Sequence, residues 1–342
     1  MRQHHNVLYV TTPKTYLHKR DEAVEVVRDG QAPVRIPLHH LQGIVCFGPV
    51  TTSPWLVAAC AEVGISISFL TAEGRFLAQV IGPQQGNVLL RRAQYRASDD
   101  VARRVAVARA FVLAKVANCR TLLRRGGREA SGSDAAQQLS EAADRLTRLM
   151  ENVKACDDLD SLRGLEGAAA AQHFGCFPLF LRGDACFDWS GRNSRPPLDP
   201  TNAVLSFLYS ILAADCAAAA QAVGLDPQVG FLHVDKPGRP ALSLDLMEEL
   251  RPVLADRLLF ALVNRRQLQE KHFERQESGA VLLTAEGRKI LLVQYQERKG
   301  EELKHPFTEE TTTYGLLAHL QARLLARHLR GDLDGYPPFL AS

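Results

Sequence analysis

Aromatic residues are scarce in this chain of 342 residues, at 7%, with only two Trp and three Met. Gly and Pro, 24 and 17 in number, fall far short of a collagen-like or low-complexity composition. A hydrophobic share of 46% is too high for a disordered chain. Cysteine occurs seven times, at Cys46, Cys60, Cys119, Cys156, Cys176, Cys186 and Cys216. The number is odd, the positions are scattered and no Cys-x-x-Cys is present, which excludes a zinc ribbon and a disulfide framework. No apolar run reads as long enough for the ~18 residues of a membrane span. The first twenty residues alternate polar and apolar groups where a secretory leader has a greasy core. These absences predict a globular, cytoplasmic, unprocessed chain with no membrane partner, and its length suffices for two packed cores.

Charge is present mainly as arginine. The net charge is only +3, but 32 of the 41 basic residues are Arg. Residues 91–128 carry eleven basic side chains against Asp99 and Asp100 alone, a concentration that polyphosphate partners select.

The hydrophobic pattern changes once along the chain. Short alternating runs at 6–11, 15–18, 24–28, 34–36, 43–47, 65–70 and 76–80, separated by turn signals such as Asp29-Gly30 and Glu73-Gly74, predict strands. Residues 53–63 are the exception: Ser-Pro followed by helical spacing predicts a capped helix. From 88 to 123 apolar residues recur at intervals of three and four, which reads as one long helix or two. The stretch 126–133 (GGREASGS) predicts a loop, and helices are expected near 134–155, 159–181, 200–223, 243–268, 286–298 and 309–330. The expected fold is therefore α+β in two domains. A small β-sandwich-like domain spans 1–85, and a larger all-α domain spans 86–342.

Polar groups concentrate at four places in the helical part. Glu166 lies in LRGLEGAAAA, among residues small enough to let a ligand or another backbone approach, although a lone exposed glutamate would look the same. His233 lies in the Gly- and Pro-rich loop GFLHVDKPGRP, which also carries Lys236 and Arg239. The loop runs into SLDLMEELRP, where helical spacing puts Leu246, Met247, Leu250, Val253 and Leu254 on a core stripe and Asp245, Glu248 and Glu249 together on another face. Clustered carboxylates repel one another on a helix, and a divalent cation reverses that sign. An oxygen and nitrogen donor set without sulfur suits Mg²⁺ or Mn²⁺ better than zinc. In the fourth place, SGRNSRPPLDPTN, Asp199 or Thr201 can cap a helix with Pro200 in its first turn. The cap leaves Arg192, Arg195 and Asn202 unexplained, and these suit phosphate oxygens.

Taken in order, the segments Leu-x-Gly-x-Glu-Gly (162–167), Asn-x-x-Arg-Pro-Pro-x-Asp-Pro-x-Asn (193–202, with Asn193-Ser194-Arg195 as a variant start), Gly-Phe-Leu-His (230–233) and Leu-Asp-Leu-Met-Glu-Glu-Leu-Arg-Pro (244–252) resemble the universal integrase of CRISPR adaptation. This is the metal-dependent DNA endonuclease family that inserts spacers into CRISPR arrays. The Gly-Tyr-Pro-Pro-Phe tail at 335–339 resembles the I-C branch. The resemblance implies catalytic roles for Glu166, His233, Asp245 and Glu248, with Glu166, His233 and Glu248 as metal ligands and Asp245 as an acidic neighbour whose loss is milder. Many relatives carry aspartate in place of Glu248, a change that a flexible Mg²⁺ or Mn²⁺ shell accommodates. It also implies a homodimer made largely through the β domains, and a small ferredoxin-like partner protein that bridges two dimers. The implied reaction is attack of a DNA 3′-hydroxyl on a phosphodiester at the edge of a repeat, with nicking of branched DNA as the hydrolytic counterpart. Arg92, Arg96, Arg103, Arg192, Arg195, Asn202, Lys236 and Arg239 are the expected contacts to double-stranded and branched DNA. A non-catalytic DNA-binding scaffold would leave the carboxylates without a role. A metallopeptidase would leave the arginines without one, and no His-Glu-x-x-His is present.

Overall fold

The computed structural model describes residues 6–80, 82, 88–130 and 132–341, so the expected domain boundary at 85/86 lies outside the described residues. Strands β1 (Asn6–Val10), β2 (Tyr16–Arg20), β3 (Ala23–Val27), β4 (Val34–Pro37), β5 (Leu41–Phe47) and β6 (Thr51–Thr52) precede helix α1 (Pro54–Glu62), and β7 (Ser66–Leu70) and β8 (Phe76–Val80) follow it. They form two four-stranded sheets, in the orders β1-β5-β7-β8 and β4-β3-β2-β6. The sheets are mixed: β5 pairs parallel with both β1 and β7, and α1 supplies the crossover that parallel pairing of β5 and β7 requires. As the Ser-Pro signal predicts, Ser53 Oγ accepts the Leu56 N–H at 3.2 Å and Pro54 opens the helix.

Period-two alternation divides β5 between two cores. Ile44 and Cys46 are buried with Leu17, Val24, Leu56 and Ile67, between the two sheets and α1. Val45 and Phe47, pointing the other way, join the helical core, where Phe47 stacks on Phe207 at 5.5 Å.

The helical part comprises α2 (Val88–Asp99), α3 (Val101–Glu129), α4 (Ser133–Ala155), α5 (Leu159–Gly175), α6 (Phe177–Phe180), α7 (Pro200–Val223), α8 (Ala241–Leu250) and α9 (Arg257–Asn264). After them come β9 (Phe273–Arg275), β10 (Val281–Leu283), α10 (Ala285–Gly300), β11 (Glu302–Lys304), β12 (Thr311–Thr313) and α11 (Leu317–Arg330). The basic stretch is two helices, because Asp100 breaks the first and caps the second by accepting the Arg103 N–H at 3.0 Å. Four expectations are corrected. The second half is not all-α, since β9 with β10 and β11 with β12 form two small antiparallel ribbons. Gly126 and Gly127 lie inside α3 and not in a loop: a Cβ on Gly126 would overlap the Phe180 ring, so glycine serves close packing there. The segment expected as one helix over 243–268 is α8, a π-helical turn (Arg251–Asp256) and α9. Pro252 lacks the N–H that would bond the Glu248 carbonyl in an α-helix, which favours the wider turn. Finally, α7 is long and apolar enough to cross a membrane, with mean hydropathy 1.8; 61% of that stretch is buried inside the molecule, the position of a core helix.

Candidate active site

Three acidic residues on α8 do three different things. Asp245 is fully buried, and its Oδ2 accepts the backbone N–H groups of Phe231 at 2.6 Å and Leu232 at 3.1 Å. Its Oδ1 accepts the His233 N–H at 3.0 Å and contacts His233 Nδ1 at 2.7 Å. Gly230 lets the loop close this tightly, since a Cβ there would lie 2.8 Å from Asp245 Oδ2. Arg104 and Arg163 hold the opposite side of the loop, each donating Nε–H at 2.9 Å, to the carbonyls of Phe231 and Leu232 respectively. An ionised carboxylate on Nδ1 requires the proton there, so in the neutral ring Nε2 carries the lone pair.

Glu248, one turn on, is 2% exposed and faces that Nε2, at 3.9 Å from its Oε1. The same oxygen meets Arg251 Nη1 at 2.9 Å, and Oε2 meets Lys115 Nζ at 2.6 Å. Lys115 also binds Glu166 Oε1, so one ammonium from α3 bridges carboxylates from α5 and α8. Burial alone would push the Glu248 carboxyl up, but Arg251, Lys115 and His233 outweigh it and hold the group at about 2. Burial likewise opposes the charge on Lys115, and Glu248 and Glu166 overcome it, keeping the ammonium protonated above its ordinary range. Arg251 is fixed from its other side, with its guanidinium 4.7 Å from the centre of the Tyr209 ring. The Tyr209 hydroxyl donates to Asp256 at 2.6 Å, and Asp256 pairs with His173 at 2.8 Å.

Glu249 departs from the expected shared face. It is fully buried on the side of the chain's last segment, accepting from the Tyr336 hydroxyl, from Gln321 Nε2 at 2.8 Å and from the Phe339 N–H at 2.7 Å. Burial pushes its carboxyl up to about 8 against the pull of those donors.

The structure thus brings Glu166, His233 and Glu248 to one centre, with Asp245 behind the imidazole. Among the described residues, no three His, Cys, Asp or Glu side chains close on one point at coordination distance, because Lys115 stands between the two glutamates. Two carboxylates and an imidazole nitrogen are nevertheless donors that a hard divalent cation takes.

The predicted phosphate contacts separate into two groups. Arg92, Arg96, Arg103, Arg195 and Lys236 are exposed, and Arg239 is partly so. Asn202 is fully buried, and its amide binds Gly191 O at 2.8 Å, Asp199 Oδ2 at 2.7 Å and the Asn193 N–H at 3.1 Å. Arg192 donates to Asn202 Oδ1 at 2.7 Å and Ser206 Oγ at 3.2 Å. Asn202 and Arg192 therefore tie down the 191–202 loop, and for Asn202 the expectation of a phosphate contact is corrected, because its amide is fully buried and bonded inside the protein; Arg192 is half-buried. Asp199 is the α7 cap, accepting the Asn202 N–H at 2.7 Å. Sequence reasoning missed Lys115, Arg251, Arg104 and Arg163. For Lys115 a signal existed, because it is the only lysine between Lys19 and Lys154 and sits in the apolar run FVLAKVAN.

The family described as CRISPR associated protein Cas1 matches residues 8–297. CRISPR-associated endonuclease Cas1 2 of Rhodospirillum rubrum is 52% identical over 340 residues, 98% of each chain. A casposase bound to integration product has the same fold, with a TM-score of 0.83 at 21% identity over 98% of this chain and 94% of that one. A chain of a partial Cas6-RT-Cas1–Cas2 complex is 25% identical with a TM-score of 0.67, over 98% of this chain and 99% of that one. With a family match that takes in both the sheets and the Glu-His-Glu centre, and a relative alike along nearly its whole length, this chain belongs to the Cas1 family.

Proposed function

We propose that the protein is a metal-dependent DNA endonuclease and integrase of CRISPR adaptation, joining spacer DNA to a repeat through a 3′-hydroxyl and nicking branched DNA with water. The observation that carries this reading is the meeting of Glu166 and Glu248 on one buried cation with His233 Nε2 3.9 Å from Glu248, from segments 67 and 15 residues apart in sequence. Glu166, His233 and Glu248 would hold Mg²⁺ or Mn²⁺, and the ion would polarise phosphoryl oxygens and lower the pKa of the attacking hydroxyl or water. The protein's own part is orientation: Asp245 fixes the imidazole tautomer, and Arg251 keeps Glu248 ionised in a buried setting. The exposed arginines of α2 and the start of α3 supply sequence-independent attraction to DNA phosphates. The Cas2 complex among the fold neighbours supports a small bridging partner, and we place a homodimer contact on the β domains, an I-C assignment on the 335–339 tail and the cytoplasm as the compartment.

Incubation of the purified protein with branched DNA, in Mn²⁺, in Mg²⁺ and in chelator, tests the reading. Cleavage and strand transfer are expected only with metal. Equal products in chelator would overturn the metal dependence, and no products in either metal with DNA binding intact would favour the non-catalytic scaffold.

A further inference from the structure

Lys115 is, among the described residues, the cation in contact with both glutamates of the centre: Glu166 Oε1 and, at 2.6 Å, Glu248 Oε2. Its side chain is 6% exposed, and its neighbours Val112, Ala114 and Val116 on α3 are fully buried. A surface lysine with a flexible stem would swing to water. This one is carried to the carboxylates by a packed helix, and without it two acids would face each other with Arg251 touching only Glu248. A divalent ion on both glutamates needs oxygens at about 2.0–2.6 Å, in the space that the ammonium fills, and the two cations would repel at that range.

We infer that Lys115 is the resident counter-cation of the Glu166–Glu248 pair, and that a divalent ion loads by displacing its ammonium instead of filling an open site. This rests on the proposal that the centre takes a divalent ion. The two cations compete for one pair of carboxylates, so Lys115 lowers metal affinity while it stabilises the metal-free fold. A lysine that merely supported the site would do the opposite, and its removal would weaken metal binding.

Mn²⁺ titration of the full-length protein decides between them, with wild type, Lys115→Met and Lys115→Arg compared by calorimetry. Lys115→Met should bind Mn²⁺ on the order of tenfold or more tightly than wild type. Lys115→Arg, keeping the charge, should stay near wild type. Lys115→Met should also melt lower in chelator and gain more from Mn²⁺. Folded Lys115→Met that binds Mn²⁺ no more tightly than wild type overturns the inference and leaves the metal reading standing. No Mn²⁺ binding by wild type or either variant overturns the metal reading and the inference with it. Should Lys115→Met not fold, reductive methylation of wild type decides: Mn²⁺ should speed labelling of Lys115, and unchanged or slower labelling overturns the displacement.

Discussion

Asp245 and His233 are joined twice, once through the His233 backbone N–H at 3.0 Å and once through the imidazole Nδ1 at 2.7 Å, both to the same carboxylate oxygen. The other oxygen of Asp245 holds the two preceding backbone N–H groups. A single buried carboxylate thus sets both the path of the loop and the face of the ring that Glu248 sees.

Asp245→Ala is therefore expected to be severe, in contrast to the mild effect that an acidic neighbour would have. It leaves three backbone donors and an imidazole N–H without their acceptor, at a cost of about 3–5 kcal/mol. Urea denaturation should show that loss, together with loss of strand transfer. Stability within 1 kcal/mol of wild type, on the order of an ordinary surface change, would refute the anchor role.

Glu166→Ala, His233→Ala and Glu248→Ala should each lower strand transfer and nicking by at least about 100-fold, while DNA affinity by fluorescence anisotropy changes little. Each removes a group at the reaction centre and none removes a phosphate-binding cation. Wild-type rates in any two of them would overturn the assignment.

Glu249 predicts a pH dependence of stability. Its carboxyl titrates at about 8 in the folded chain against 4.5 ordinarily, so across that interval the folded state holds a proton that the unfolded state has released. The stabilisation present below about pH 4.5 is lost as pH rises through about 8. Melting temperature should fall over that range, and Glu249→Gln should flatten the fall. An identical pH profile in the variant would refute it.

Arg92, Arg96 and Arg103 are exposed on α2 and the first turn of α3. Replacing all three with Gln should weaken binding to every DNA sequence alike. The slope of log affinity against log salt should flatten by roughly 0.9 for each duplex phosphate that is no longer neutralised. An unchanged slope would make these arginines a solvated helix face.

Asn202→Ala should behave differently. It empties a buried amide site whose partners are Gly191, Arg192, Asn193 and Asp199, and should cost about 1–3 kcal/mol in thermal or chemical denaturation with the salt slope unchanged. A flattened slope at wild-type stability would restore the phosphate reading.

Local chemistry by itself determined much of this protein. Alternation of apolar residues marked the strands up to residue 80, Ser53-Pro54 and Asp199-Pro200 marked helix starts, and the spacing of Asp245 and Glu248 put both on successive turns of one helix. Each is a property of a few neighbouring residues, so a short window of sequence contains it. Only tertiary structure decided what those residues face. Glu249 follows Glu248 directly, yet it binds Tyr336 and Phe339 because adjacent helical positions point about 100° apart into different packing partners. Gly126 looked like a turn and is a packing contact with Phe180, and Asn202 looked like a phosphate ligand and is a loop lock. Lys115 lies 51 residues from Glu166 and 133 from Glu248 in sequence. Its role came into view only when packing of α3 against α5 and α8 enclosed the ammonium between two carboxylates, since removal from water is what makes that pairing strong.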